Sequence, residues 1–232
     1  MYIGVFGASG VIGSRVVSEA ASRGHRVKAW TRDGSRAAPG TDAVQWGVAD
    51  VLDPECVGRV IDGIDVVVNA INAGRDVSRA IANAGILPGA ADSLLTALER
   101  HLATRLIVVG GAGSLEVRPG LQFCDVEGIT DSFPAELGVP PEYITVIRAH
   151  REALNRYRTS NRNWTYLSPS SWLMSPAGRT GRFRVGGDQL LVSADNGGGI
   201  NPSGISAEDL AVAIIDEAEL PRHIQRRFTV GY

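Results

Sequence analysis

Three glycines and an arginine carry the first chemistry in this chain. Gly7, Gly10 and Gly13 recur at intervals of three in Gly7-Ala8-Ser9-Gly10-Val11-Ile12-Gly13. An apolar run, Tyr2 to Phe6, precedes them. After them, Val11 to Arg23 places Ile12, Val16, Val17 and Ala20 on one helical face. A glycine-rich turn between a buried strand and an amphipathic helix is the setting that holds a dinucleotide pyrophosphate. Gly7 would permit the tight turn, Gly10 the approach of backbone to phosphate, and Gly13 close packing of helix on strand. Ser9, Val11 and Ile12 complete the loop, and the first amides of the helix would face the phosphates.

The next strand ends Trp30-Thr31-Arg32. An acidic residue at this point would bond the ribose hydroxyls of NAD. Arg32 instead suits a 2′-phosphate, because its planar fork matches phosphate oxygens. Arg36 is a second contact or a solvated surface residue. Asp33 argues the other way, since it can reach a ribose hydroxyl. NADPH is the expected cofactor, ahead of NADH. Asp50-Val51 follows the third strand, where a carboxylate can accept from the adenine amino group, or merely begin a helix. Ala70, Ile71 and Asn72 end the fourth strand at the carboxyl edge of the sheet, where such folds bind ligands. Arg75 lies just beyond and is in reach of a phosphate.

At the reacting end the candidates are His150, Ser114 and Tyr143. His150 lies on a helix expected over 142–159, and an ordinary imidazole pKa near 6.5 suits proton transfer at neutral pH. The competing reading is a surface histidine among Arg148, Arg151 and Glu152. Ser114 follows the fifth strand and either bonds a substrate carbonyl or structures its loop. Tyr143 can donate from the start of the helix. Pro169, Trp172 and Met174 follow the sixth strand and would wall the pocket with surfaces suited to a planar ligand; Trp172 can equally be core. No cluster has metal-ligand spacing and no serine sits in a nucleophile elbow, so neither metal nor covalent catalysis is expected.

The elements that must position these residues alternate. Strands are expected at Tyr2–Phe6, Arg26–Trp30, Val44–Val48, Asp65–Ala70, Leu106–Gly110 and Trp164–Leu167. Helices are expected after Pro54 and around Val77–Asn83, Ala90–His101 and Leu210–Glu217, the last behind a capping box at Ser206–Asp209. Residues 111–142 lack periodicity and read as a functional loop. Gly181–Ser193 reads as a β-hairpin and Phe228–Val230 as a closing strand. The sum is an α/β, doubly wound parallel sheet of Rossmann type with a small C-terminal substrate-side elaboration, in one domain over 1–232.

Composition narrows the partners. The chain has 232 residues, a formal net charge of −2 and 44% hydrophobic residues. No basic field attracts nucleic acid or anionic membrane, and no apolar run reaches a membrane span. Cys56 and Cys124 are too few for a disulfide framework. The start lacks a charged region followed by an apolar core, so a cytoplasmic address is expected. Lys28 is the one lysine among 23 basic residues.

The opening motif, Arg32, Asp50-Val51, Val108–Leu115, Trp164–Pro169 and Arg179–Phe183 together resemble the atypical short-chain dehydrogenase/reductase superfamily. Within it they look most like the NAD(P)H-binding group that includes flavin reductase/biliverdin reductase B and NmrA-like proteins. The resemblance covers nearly the whole chain and departs at Asp125–Tyr143 and Gly197–Gly199. It implies a Rossmann fold, a nicotinamide cofactor, and reduction of a flat conjugated small molecule such as a flavin or quinone. It also admits two alternatives: a redox-sensing protein without turnover, or a nicotinamide-using isomerase, epimerase or dehydratase. The main mechanism of that superfamily uses Tyr-x-x-x-Lys. This chain cannot supply the pair, because Tyr143 is followed four residues later by Ile147, Tyr157 by Asn161, and Lys28 belongs to a strand.

Overall fold

The computed structural model describes residues 1–171, 176–193 and 202–232. β1 (Tyr2–Phe6) leads into α1 (Val11–Ser22). Then come β2 (Arg26–Thr31), β3 (Val44–Val48), α2 (Pro54–Val60), β4 (Val66–Asn69), α3 (Val77–Ala82), α4 (Ile86–Leu98) and β5 (Arg105–Val109). A short hairpin of β6 (Glu116–Arg118) and β7 (Leu121–Gln122) precedes α5 (Ile129–Glu136) and α6 (Ile144–Arg158). The chain ends with β8 (Trp164–Pro169), β9 (Arg184–Gly186), α7 (Ala207–Glu219) and β10 (Arg226–Gly231).

The main sheet runs β3-β2-β1-β4-β5-β8-β10-β9. Every described pairing in it is parallel except β9 on β10. Parallel strands buried on both faces need continuous apolar runs. β4 (Val66-Val67-Val68-Asn69) and β5 are buried along their whole length accordingly. One face packs α2, α4 and α6 around Trp30, Leu94, Leu154 and Tyr157. The other packs α1 and α7 around Val16, Ile107, Ile214 and Phe228. The fold is the doubly wound α/β class that the alternating sequence implies.

Three segments differ from the sequence reading. α4 begins at Ile86, four residues before the expected Ala90. Pro88 falls in its first turn, where a missing amide hydrogen costs nothing. Residues 111–142 are not an unstructured loop, because they hold the β6–β7 hairpin and α5, with Pro134 inside that helix. Gly181–Ser193 does not fold back on itself as a hairpin. Its strand, β9, pairs antiparallel with β10 instead, with Val185 opposite Val230. The glycine run at 197–199 lies outside the described residues. Ser206 caps α7 by accepting from the Asp209 amide, as the capping box requires.

Candidate functional site

A cleft of about 1270 Å³ opens along the carboxyl edge of the sheet. Its middle is the loop between β1 and α1. Gly7 has φ +76°, and a Cβ there would lie 2.6 Å from the Ala70 carbonyl oxygen. A Cβ on Gly13 would overlap the Gly7 carbonyl. Both glycines are therefore required by the fold itself. Gly10 is different. Its φ of −86° suits any residue, and a Cβ would meet only the Gly7 oxygen, at 3.2 Å. Gly7, Ser9, Gly10, Val11 and Ile12 all line the cleft. α1 begins there with no side-chain cap and no acidic residue in its first turn. Its first amides thus present unpaired donors and a positive dipole end to whatever fills the cleft. That is the chemistry a pyrophosphate requires, and the cradle fits a dinucleotide.

One end of the cleft is lined by Trp30, Thr31, Arg32, Asp33, Arg36, Val51, Leu52 and Arg75. Arg32 is exposed at the rim. Arg36 donates to the Ser9 carbonyl at 3.2 Å, which ties it to the glycine loop rather than leaving it solvated. Asp33 caps the short turn after β2: its Oδ1 accepts from the Ser35 amide and hydroxyl at 3.0 and 2.7 Å. Those bonds, with Arg36 and Arg75 nearby, hold its carboxyl below the usual range. Asp50 lies at the turn after β3, between the cleft-lining Ala49 and Val51, and its Oδ1 accepts from the Leu52 amide at 3.0 Å. Its backbone turn sends Val51 into the cleft. Ala70, Ile71 and Asn72 line the middle, with the Asn72 side chain bonded to the Ala73 amide.

The other end is formed by Gly110–Gly113, Leu137, Tyr143, Val146, Ile147, His150, Pro169 and Ser171. Glycines are needed here because side chains press from behind. A Cβ on Gly110 would overlap the Tyr166 ring, and one on Gly113 would overlap Ile147. A Cβ on Gly111 would meet the His150 ring at 3.2 Å. His150 therefore turns into the cleft, while its neighbours Arg151 and Glu152 pair with Asp125 and Arg156. Burial pushes its imidazole down to about 4. The ring is neutral at pH 7, not poised near 6.5 as the sequence suggested. It can donate a hydrogen bond but is not an imidazolium acid. Tyr143 lines the same wall, and burial raises its phenol.

Of the two roles open to Ser114, the structure shows the loop-structuring one. The serine is buried behind the cleft wall, and its hydroxyl and carbonyl both accept from Arg227, at 3.1 and 2.6 Å. Those bonds structure its loop, and Ser114 is not among the residues that line the cleft. Trp172 and Met174 lie outside the described residues. Lys28 points from β2 toward Gln45, away from the cleft. Sequence reading missed Gly74, Arg79, Ala80 and Asn83, which also line the cleft. For Ala80 and Asn83 the available signal was their spacing of three at the end of α3, which puts them on one face.

The His150 burial has a measurable consequence for stability. In the unfolded chain its imidazole titrates near 6.5. Folded, it is held at about 4. Between those values the unfolded state binds more protons, so its contribution is full above pH 6.5 and is lost as pH falls toward 4. Denaturant titrations at pH 7, 5.5 and 4.5 should show a steeper loss for the wild type than for His150→Ala. Equal slopes would mean the imidazole is solvated.

Among the described residues no helix is long and apolar enough to cross a membrane, and no group of His, Cys, Asp and Glu could hold a metal ion. A family model described as NAD(P)H-binding matches residues 7–221, and the chain belongs to that family. It is 36% identical over 232 residues to the uncharacterized protein YwnB of Bacillus subtilis, covering 99% of this chain and 98% of that one. Among solved structures, a Burkholderia pseudomallei protein described as a candidate exported protein shares 36% identity, with a TM-score of 0.81 and full coverage of both chains. A candidate epimerase from Bacteroides thetaiotaomicron shares 32%, with a TM-score of 0.80 over 100% of this chain and 96% of that one. A candidate NADH-flavin reductase from Streptococcus pneumoniae shares 26%, with a TM-score of 0.78 over 99% and 98%.

Proposed function

We propose that the protein is an NADPH-dependent reductase of a planar conjugated small molecule: a flavin, a quinone or a conjugated carbonyl. The observation that carries this is one continuous cleft. It begins at Arg32 and Arg36, passes the uncapped start of α1, and ends in a chamber walled by Val146, Ile147, Leu137, Tyr143 and His150. The likeness to the candidate NADH-flavin reductase supports the same reading.

A reduced nicotinamide held in this cleft would supply the hydride. The chain supplies the rest. Arg32 and Arg36 take the 2′-phosphate, and the first amides of α1 take the pyrophosphate. Val146, Ile147 and Leu137 exclude water from the chamber, which strengthens every polar contact within it. His150 and Tyr143 donate hydrogen bonds to an acceptor oxygen. A quinone or flavin spreads the incoming charge over its rings and collects its proton from solvent at the cleft mouth.

The candidate epimerase keeps a second reading in view. An epimerase must remove a proton and return it, and the chamber offers no lysine beside a tyrosine for that work. Incubating the protein with NADPH and a panel of flavins, quinones and enones separates the readings. A reductase consumes NADPH with at least one acceptor. An epimerase converts substrate without net consumption, and a sensor binds without either. Cofactor choice has its own test. Arg32→Ala should weaken NADPH binding by about 1.5–3 kcal/mol, the range for a hydrogen bond to a charged group. NADH binding should hardly change, and equal losses for both would remove Arg32 from the phosphate.

A further inference from the structure

Behind the chamber wall lies a buried cation that the proposed chemistry does not use. The Arg227 side chain, on β10, is 1% exposed. Its guanidinium donates to the Ser114 carbonyl at 2.6 Å and to the Ser114 hydroxyl at 3.1 Å. On its other edge it donates to Asp188, at 2.7 Å to Oδ1 and 3.2 Å to the carbonyl. Burying a guanidinium is costly, and desolvation pulls its pKa down. A cation kept at that cost must satisfy groups that an apolar residue cannot.

The register shows what those groups do. Arg227 stands opposite Tyr166 on β8, and Tyr166 stands opposite Val108 on β5. Neighbours in one row thus reach both walls of the chamber. The Tyr166 ring fills the space beneath Gly110, and its hydroxyl donates to the His150 carbonyl at 2.9 Å. Arg227 holds the far end of the same loop at Ser114. Between these anchors, Gly110, Gly111 and Gly113 line the cleft with no side chains to fix them, and Ala112 adds only a methyl buried against Leu115 and Leu190. Asp188 closes the frame, since its carbonyl also accepts from the Glu116 amide at 2.8 Å.

We infer that Arg227 is a positioning residue for the nicotinamide end of the site, fixing the Gly110–Gly113 wall through Ser114 without touching a ligand. The inference rests on the reductase reading for the ligand but not for the loop. Arg227 is remote from the glycine turn and from Arg32, so its influence is confined to one half of the cofactor. The planar fork matters, because it serves Ser114 and Asp188 at once. A lysine presents its three donors from a single nitrogen, so it cannot span Ser114 and Asp188 with the same geometry.

The test compares whole NADPH with 2′-phospho-ADP-ribose, which lacks the nicotinamide, on the wild type, Arg227→Met and Arg227→Lys. Amide hydrogen exchange is followed on the same proteins without ligand. In Arg227→Met, NADPH affinity should fall about tenfold, because a loosened wall must be ordered again when the ligand binds. The fragment should bind within about twofold of the wild type, because the first turn of α1 is undisturbed. Exchange should quicken at Leu115 and Phe123, whose amides bond Ala112 and Leu115. Arg227→Lys should fall between. Should Arg227→Met not fold, Arg227→Lys and Asp188→Asn carry the same comparison. Equal weakening of both ligands marks general damage and overturns the inference, as do unchanged ligands with unchanged exchange. A wild type that binds neither ligand overturns the reductase reading, and it is read before any variant.

Discussion

Gly10→Val should abolish NADPH binding and leave the fold intact. The backbone there is extended, at φ −86° and ψ 174°, which a β-branched residue adopts readily. The added Cβ meets only the Gly7 oxygen, at 3.2 Å, so the turn need give by a few tenths of an ångström. The branched methyls then occupy the space over the first amides of α1. A loss of ~100-fold or more, about 2.7 kcal/mol, is expected. Gly13→Val is the contrasting control. Its Cβ overlaps the Gly7 carbonyl, so it should lower the melting temperature as well. Calorimetric titration and thermal melts of the two variants separate a ligand-imposed glycine from a fold-imposed one. Wild-type affinity in a folded Gly10→Val protein would sink the pyrophosphate assignment.

The contrast between Gly10 and Gly13 also marks what the sequence could convey. Spacing located the loop, because only a strand–turn–helix junction places three such glycines at one sheet edge. Spacing could not say which glycine answers to the fold and which to a ligand, since that depends on how the loop curls back on Gly7 and how Gly7 meets Ala70 after β4. The same limit explains Asp50. Its position after β3 was read correctly, but an aspartate just past a strand can turn its carboxylate to its own backbone two residues on. It bonds the Leu52 amide, and Val51 faces the cleft instead.

The strands followed from apolar runs and were legible throughout β1 to β5, whereas their order in the sheet was not read from the sequence. The segment after β5 was not legible. Its hairpin and α5 are short, with glycines and prolines interrupting any period, so they are defined by their neighbours. Ser114 shows the consequence. By position it belonged among the ligand-facing residues, yet Arg227, 113 residues later, draws it behind the wall. No local pattern announces a partner that distant. Tyr166 and Gly110 make the same point, since the glycine is required by a ring on another strand.

His150→Ala should cost a carbonyl acceptor far more than a quinone. The imidazole faces the chamber over Gly111, and burial holds it neutral, with a pKa of about 4. A neutral ring acts by donating its N–H to developing negative charge. Removing one such donor from a water-poor site typically lowers turnover by ~10²–10³-fold. A reduced carbonyl concentrates its charge on one oxygen and needs that donor. A quinone or flavin delocalises it and should lose only a few-fold. The pH profile distinguishes this role from acid catalysis. A neutral donor gives a carbonyl rate with no inflection near pH 6.5. An imidazolium acid would give a rate that climbs as pH falls through its pKa. Steady-state rates of the wild type and His150→Ala between pH 5 and 8, on one enone and one quinone, read both effects. Equal losses on the two acceptors would reduce His150 to packing, and Tyr143 would then be the donor to test next in the chamber wall.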